Sequence, residues 1–273
     1  MKISHLLLVS VLFVLAPVST VAEEQKYLRG LNISVGYFDQ QFVELNDQGE
    51  PLLEETGAIT FVGGGFYWQT RSGLFAEISY RESSDTVDYS GLTQQGRFVQ
   101  TNTELYLEDT TFLFGRNFGQ TSAFIGVGRS FRERNILGTE NISGLYEEIE
   151  HTNAMFGLRA NLFPHKRFQI RLEARVWTDI DSSFYVSMDG KADPLTFEPG
   201  KSFGHHTSAE FFFDIGRDGG FAISLIPAFE YTHMDKSREY PLYLNGAPLY
   251  LNQHQPEMEW ESYSLTGKIA WYF

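Results

Sequence analysis

From Leu28 to Phe273 the chain alternates apolar and polar residues with a period of two, in segment after segment. The clearest is "FQIRLEARVW", in which Phe168, Ile170, Leu172, Ala174 and Val176 oppose Gln169, Arg171, Glu173 and Arg175. Successive side chains of an extended chain point to opposite faces, so each segment is a strand with one apolar and one polar side. Ten segments read this way: "LRGLNISVGYF", "AITFVGGGFYW", "GLFAEISYR", "LYLEDTTFLFGR", "SAFIGVGRSF", "NAMFGLRANLF", "FQIRLEARVW", "AEFFFDIG", "FAISLIPAFEYT" and the closing "SLTGKIAWYF". Each is about 9–11 residues, the length of a tilted strand that spans a bilayer.

The connections alternate strictly between short and long. "QTRSG", "NFGQT", "PHKR" and "RDGG" are tight turns built from the residues such turns require. Between them lie long polar stretches such as "QQFVELNDQGEPLLEETG" and "TDIDSSFYVSMDGKADPLTFEPGKSFGHH". An up-and-down meander thus has its tight turns and both termini at one end and its long loops at the other. The aromatics sort by height. Tyr37, Tyr80, Tyr231 and Tyr263 share the apolar parity near the long-loop end; Trp68, Phe163, Phe168, Phe221, Trp271 and Phe273 lie near the tight-turn end. Two such belts suit rings that anchor at membrane–water interfaces.

Composition sharpens this. Residues 1–22 read as a cleaved signal peptide: Lys2, then the apolar run "LLLVSVLFVLAPV", then small residues up to Ala22. The remaining 23–273 form one domain. No later run approaches the roughly 18 apolar residues of a membrane helix, and mean hydropathy is −0.24. There is no cysteine, which excludes disulfides and thiolate metal sites. A net charge of −14 argues against a nucleic-acid partner. No phosphate loop, cofactor fingerprint or metal motif appears, so neither cofactor nor metal is expected.

The last strand carries Leu265, Gly267, Ile269, Trp271 and the terminal Phe273 on one parity. With the two belts and the loop asymmetry, this resembles the integral outer-membrane β-barrel proteins of Gram-negative bacteria. The usual terminal motif places its glycine one position later, at Lys268. The resemblance implies an all-β, transmembrane, antiparallel up-and-down barrel of ten strands, with eight or twelve as alternatives. It implies location in the cell outer membrane, contact with its lipid and lipopolysaccharide, and a terminal aromatic strand read by the barrel-assembly machinery. Closing the last strand on the first removes an edge for which lipid offers no partner.

With the apolar parity toward lipid, the polar parity fills the lumen: Glu77, Arg81, Arg159, Arg171, Glu173, Arg175, Glu210, Asp214, Glu230 and Lys268. Ten strands leave little bore. These charges form either a structural network or a small, selective, porin-like pathway. Asp109 and Arg129 fit neither simple parity, which suggests a bulge nearby. The rim offers Asp85, Asp88, Asp179, Asp181, His205, His206, His233 and Asp235, residue types that activate water. The omptin surface proteases share the strand count and rim composition, but His233-Met234-Asp235 reverses the order of their Asp–x–His motif. The near-repeat "PLYLN" at Pro241–Asn245 and Pro248–Asn252 brackets a turn and predicts a hairpin above the membrane that packs on neighbouring loops. The sequence therefore reads as a small non-enzymatic cell-surface barrel for interaction, structure or limited permeation. The alternative is a rim hydrolase, omptin-like or lipid-A-modifying. Nothing in the sequence names an extracellular ligand.

Overall fold

The computed structural model of the chain describes residues 28–92, 97–140, 142–162, 167–188, 190–215 and 220–273. The leader, Phe163 and most of the "PHKR" and "RDGG" turns lie outside them. The strands are β1 (Leu28–Leu45), β2 (Pro51–Gln69), β3 (Leu74–Leu92), β4 (Phe98–Phe118), β5 (Thr121–Ile136), β6 (Leu145–Leu162), β7 (Phe168–Ser187), β8 (Leu195–Phe197), β9 (Ser202–Asp214), β10 (Phe221–Met234), β11 (Tyr240–Leu244), β12 (Ala247–Gln253) and β13 (Glu257–Tyr272). Ten of them, all but β8, β11 and β12, form the closed antiparallel wall, in which β6 pairs with β7 and β13 with β1, and the short β8 adds to β7 as an eleventh strand of the same sheet. Arg29 and Phe273 exchange backbone hydrogen bonds of 3.0 and 3.3 Å at the closing seam.

The strands are longer than the alternation suggested, from 13 residues in β9 to 21 in β4. Much of what reads as long loop is strand. The first connection shrinks to residues 46–50, and β1 and β2 pair as far as Leu45 and Pro51. The reason is a change of solvent partway up the wall. Along β1 the outward row runs Leu31, Ile33, Val35, Tyr37 and then Asp39 and Gln41; the inward row runs Asn32, Ser34, Gly36 and then Phe38, Gln40 and Phe42. Along β13 the outward row passes from Trp271, Ile269 and Tyr263 to Glu261, Glu259 and Glu257, while Trp260 and Met258 turn inward. The parity is continuous, but its polarity inverts. Below the inversion lipid takes the apolar row, as at Ile33, 67 % exposed, and Val35, 63 %. Above it water takes the polar row, and the hydrophobic effect drives apolar residues inward.

This inversion accounts for Asp109 and Arg129 without a bulge. β4 and β5 pair in unbroken register from Thr103–Ile136 to Phe118–Thr121. Asp109 faces inward, and Arg129 faces outward above the lipid band, 3.3 Å from Glu150. The wall shifts register instead at the end of β1, where Leu52 of β2 is extra, and in β7. Asn153 pairs with Asp179 and Thr152 with Asp181, so Ile180 is the extra residue. It moves the inward row from Arg175, Trp177 and Asp179 to Phe184 and Val186, which keeps both apolar side chains inside.

Candidate functional site

The interior is stacked in tiers from the tight-turn end upward. In the lowest, Arg159 is bonded by Glu77 at 2.8 Å and Glu173 at 2.6 Å, with its guanidinium 4.8 Å from the Phe124 ring centroid and 5.5 Å from that of Phe75. Gly157 lies against Phe124, where a Cβ would come within 2.2 Å of the ring. Beside this, Glu210 receives Arg171 at 3.2 Å and a short contact from Lys268. Asp214 follows on the same inward row, its backbone N–H donating to the Arg167 carbonyl at 3.0 Å.

One level up, Glu230 lies 3.8 Å from Arg175 and 3.4 Å from His206. Arg81 is bonded by Asp109, with Nε at 3.0 Å and Nη2 at 2.5 Å. His206, read from sequence as a rim residue, is thus part of the interior, while its neighbour His205 lies against Phe229 and Tyr231. Adjacent residues of a strand cannot face the same way. Higher still, Arg132 reaches Trp260, 5.0 Å from its ring centroid.

The next tier was not legible as a site. Arg134 on β5 is fully buried. Its Nε and Nη2 donate to both oxygens of Glu55 on β2 at 3.2 and 3.0 Å, Nη1 reaches Glu44 on β1 at 3.2 Å, and Glu147 on β6 makes a short contact. The Thr103 hydroxyl donates to Glu55 at 2.6 Å, and the Phe42 ring centroid lies 4.2 Å from the guanidinium. These residues lie above the lipid band. One guanidinium cannot neutralise three carboxylates in a buried site, so burial raises the pKa of Glu44 and pushes that of Glu147 up to about 8 despite Arg134. The signal in the sequence was the alternation that continues past Phe38 and Phe131 into stretches that look like loop.

Packed beside this tier, at the height of Glu44, is an apolar layer. Phe42, Leu53, Ile149, Phe184, Val186, Phe197, Met234, Met258 and Trp260 form one buried cluster drawn from both sides of the bore. The hairpin β11–β12 closes over it. Asn245 and Gly246 both adopt positive φ, 51° and 74°, the geometry of a tight hairpin turn. Both of their N–H groups donate to the Asp193 carboxylate at 2.8 Å. Leu242 is buried, and the Tyr240 ring packs on Phe197 at 5.1 Å.

The rim acids and histidines do not converge on one centre. Asp85 accepts from the Thr60 N–H at 3.2 Å, Asp88 from Asn102 at 3.3 Å and Asp179 from the Ser202 N–H at 2.7 Å, while Asp181 stands exposed at the bulge. The exception is His233, outward on β10, whose Nε2 lies 3.2 Å from Asp235 and whose Nδ1 lies 3.8 and 3.6 Å from Glu257 and Glu259. Below it tyrosine–carboxylate pairs mark the lipid edge, Tyr80–Glu82 at 2.9 Å and Tyr263–Glu261 at 2.8 Å.

No protein-family model matches the chain, and no curated protein matches it in sequence. Among solved structures it is similar to the outer membrane protease OmpT from Escherichia coli, with TM-score 0.58, 10 % identity, 92 % of this chain and 99 % of that one. It also aligns with the translocator domain of the autotransporter NalP from Neisseria meningitidis (TM-score 0.44, 9 % identity, 89 % of this chain and 88 % of that one). A third is the outer membrane protein OprG from Pseudomonas aeruginosa (TM-score 0.39, 9 % identity, 92 % and 97 %). The first likeness is one of fold and carries no statement about proteolysis. The closed barrel and its apolar outer band are those of a transmembrane β-barrel, with the fold seen in outer-membrane proteins.

Proposed function

We propose that the protein is a non-conducting outer-membrane barrel whose working part is the rigid, water-facing wall and rim of its outer half, a non-enzymatic role in surface interaction. One observation carries this reading. The bore is crossed by the Arg134 tier and, packed beside it, by a layer in which Phe42, Met234 and Met258 are each 0 % exposed. A pore needs a continuous wet path, and here side chains from strands on different sides of the barrel meet. The charges below are paired with one another, as burial demands, which supports a structural network in the lumen. On the same reading the leader is removed after Ala22, the Trp271–Phe273 strand is presented to the barrel-assembly machinery, and the tyrosine belt meets lipopolysaccharide headgroups.

The test is electrical. The mature chain, folded into a planar bilayer, is expected to give no discrete openings. The triple variant Phe42→Ala, Met234→Ala, Met258→Ala is expected to leak, because it removes the layer that seals the bore. Reproducible single-channel steps from the unaltered protein would overturn the proposal and make the charged lumen a pathway. Folded protein is also expected to leave basic peptides and lipid A intact.

A further inference from the structure

We infer that the outward wall of β10 and β13, above the lipid band, binds a divalent transition-metal ion through His233, Glu257 and Glu259. One atom from each of the three lies within 4.8 Å of the other two. The Nδ1–carboxylate separations of 3.6 and 3.8 Å are near the spacing of roughly 3.3–3.5 Å between neighbouring ligands on a tetrahedral ion with bonds of about 2.0–2.2 Å. Small side-chain rotations close the set, and a water completes it.

The imidazole is already set for this role. Asp235 holds Nε2 at 3.2 Å, and the ring packs on Phe203 with centroids 5.0 Å apart. With a proton on Nε2 shared with Asp235, the Nδ1 lone pair faces the two glutamates. A carboxylate behind a ligating histidine fixes its tautomer and raises its basicity. The Tyr231 hydroxyl donates to Glu259 Oε1, the oxygen that faces Nδ1, at 2.9 Å, so that carboxylate too is oriented by a residue outside the set.

Charge points the same way. Glu257, Glu259 and Glu261 occupy successive outward positions of one strand beside Asp235. The neighbouring Lys236 is bonded to Asp47 at 2.7 Å. Among the described residues no lysine or arginine forms an ion pair with Glu257, Glu259 or Asp235; His233 is the group they face. Like charges in adjacent positions repel unless a cation joins them, and a dissolved cation can fill that place. An imidazole among the donors favours a zinc-like ion over calcium or magnesium, which take all-oxygen shells. The bound ion would tie the closing strand to β10 just outside the lipid. The donors are 24 and 26 residues apart in the chain, so only the register Met234–Met258 brings them together.

The experiment uses the full mature barrel folded in detergent micelles, with Co2+ as the probe read by its visible absorption. One saturable equivalent is expected, displaced by Zn2+ and not by comparable Ca2+ or Mg2+. His233→Ala, and separately the isosteric pair Glu257→Gln with Glu259→Gln, are expected to weaken binding at least tenfold; Asp235→Asn, a positioning change, about tenfold. Heat-modifiable mobility on gels confirms that each variant is folded, and the glutamine pair stands in should His233→Ala fail to fold. Absence of saturable Co2+ binding in the unaltered barrel overturns the inference. So does unchanged affinity in folded His233→Ala or in the folded glutamine pair, or displacement by Ca2+ as effective as by Zn2+.

Discussion

Arg134 is the residue on which the outer half turns. It collects carboxylates from β1, β2 and β6 in a buried site, so its removal strands negative charge in the interior. Arg134→Met is expected to destabilise the outer half by about 3–5 kcal/mol, the range for breaking a buried ion pair from one side. Chemical denaturation with amide exchange in β5 and β6 as the readout would show it. The same site sets a pH dependence. Glu147 holds its proton up to about pH 8 when folded, whereas an unfolded glutamate loses it near 4.5. Between those values the folded state binds more protons, so stability is fullest below about 4.5 and falls as pH rises toward 8. Glu44, also raised by burial, adds in the same direction. Thermal unfolding is therefore expected at a lower temperature near pH 9 than near pH 6, and Glu147→Gln, the shape of the protonated acid, should flatten the difference.

At the scale of elements, the strands differ in what holds them. On β5 and β6, Gly157 leaves room for the Phe124 ring under Arg159. Gly157→Val is expected to push that ring off the guanidinium and cost about 1–3 kcal/mol, measurable as a lowered denaturation midpoint. The hairpin β11–β12 is held differently, by two N–H bonds to Asp193 and by the packing of Leu242 and Tyr240. Asp193→Ala should free it. Limited proteolysis is then expected to cut within 240–253 while the barrel keeps its heat-modifiable mobility; resistance equal to that of the unaltered protein would show that apolar packing alone suffices.

For the whole molecule, the inversion of polarity divides the barrel into a lipid-bound lower part and a water-bound upper part. Its four tryptophans report the division. Trp68 and Trp271 lie on the outward row within the lipid band, whereas Trp177 and Trp260 point inward. Single-tryptophan variants in bilayers with brominated acyl chains should show strong quenching for the first two and little for the others. Strong quenching of Trp260 would place the inverted face the wrong way round.

Ten strands, their order, the closing seam and the lipid-facing rows were legible in the sequence, because a period of two is a local property and lipid punishes any break in it. What alternation cannot show is where the outer solvent changes. At Phe38 and Trp260 the pattern looks merely polar, since both rows exchange character there, and strand reads as loop. Nor does a chain reveal which of its charges meet. Arg134 and Glu44 are separated by 90 residues, His233 and Glu259 by 26. Only the closed register, which sets the height of each residue against strands distant in sequence, brought them together.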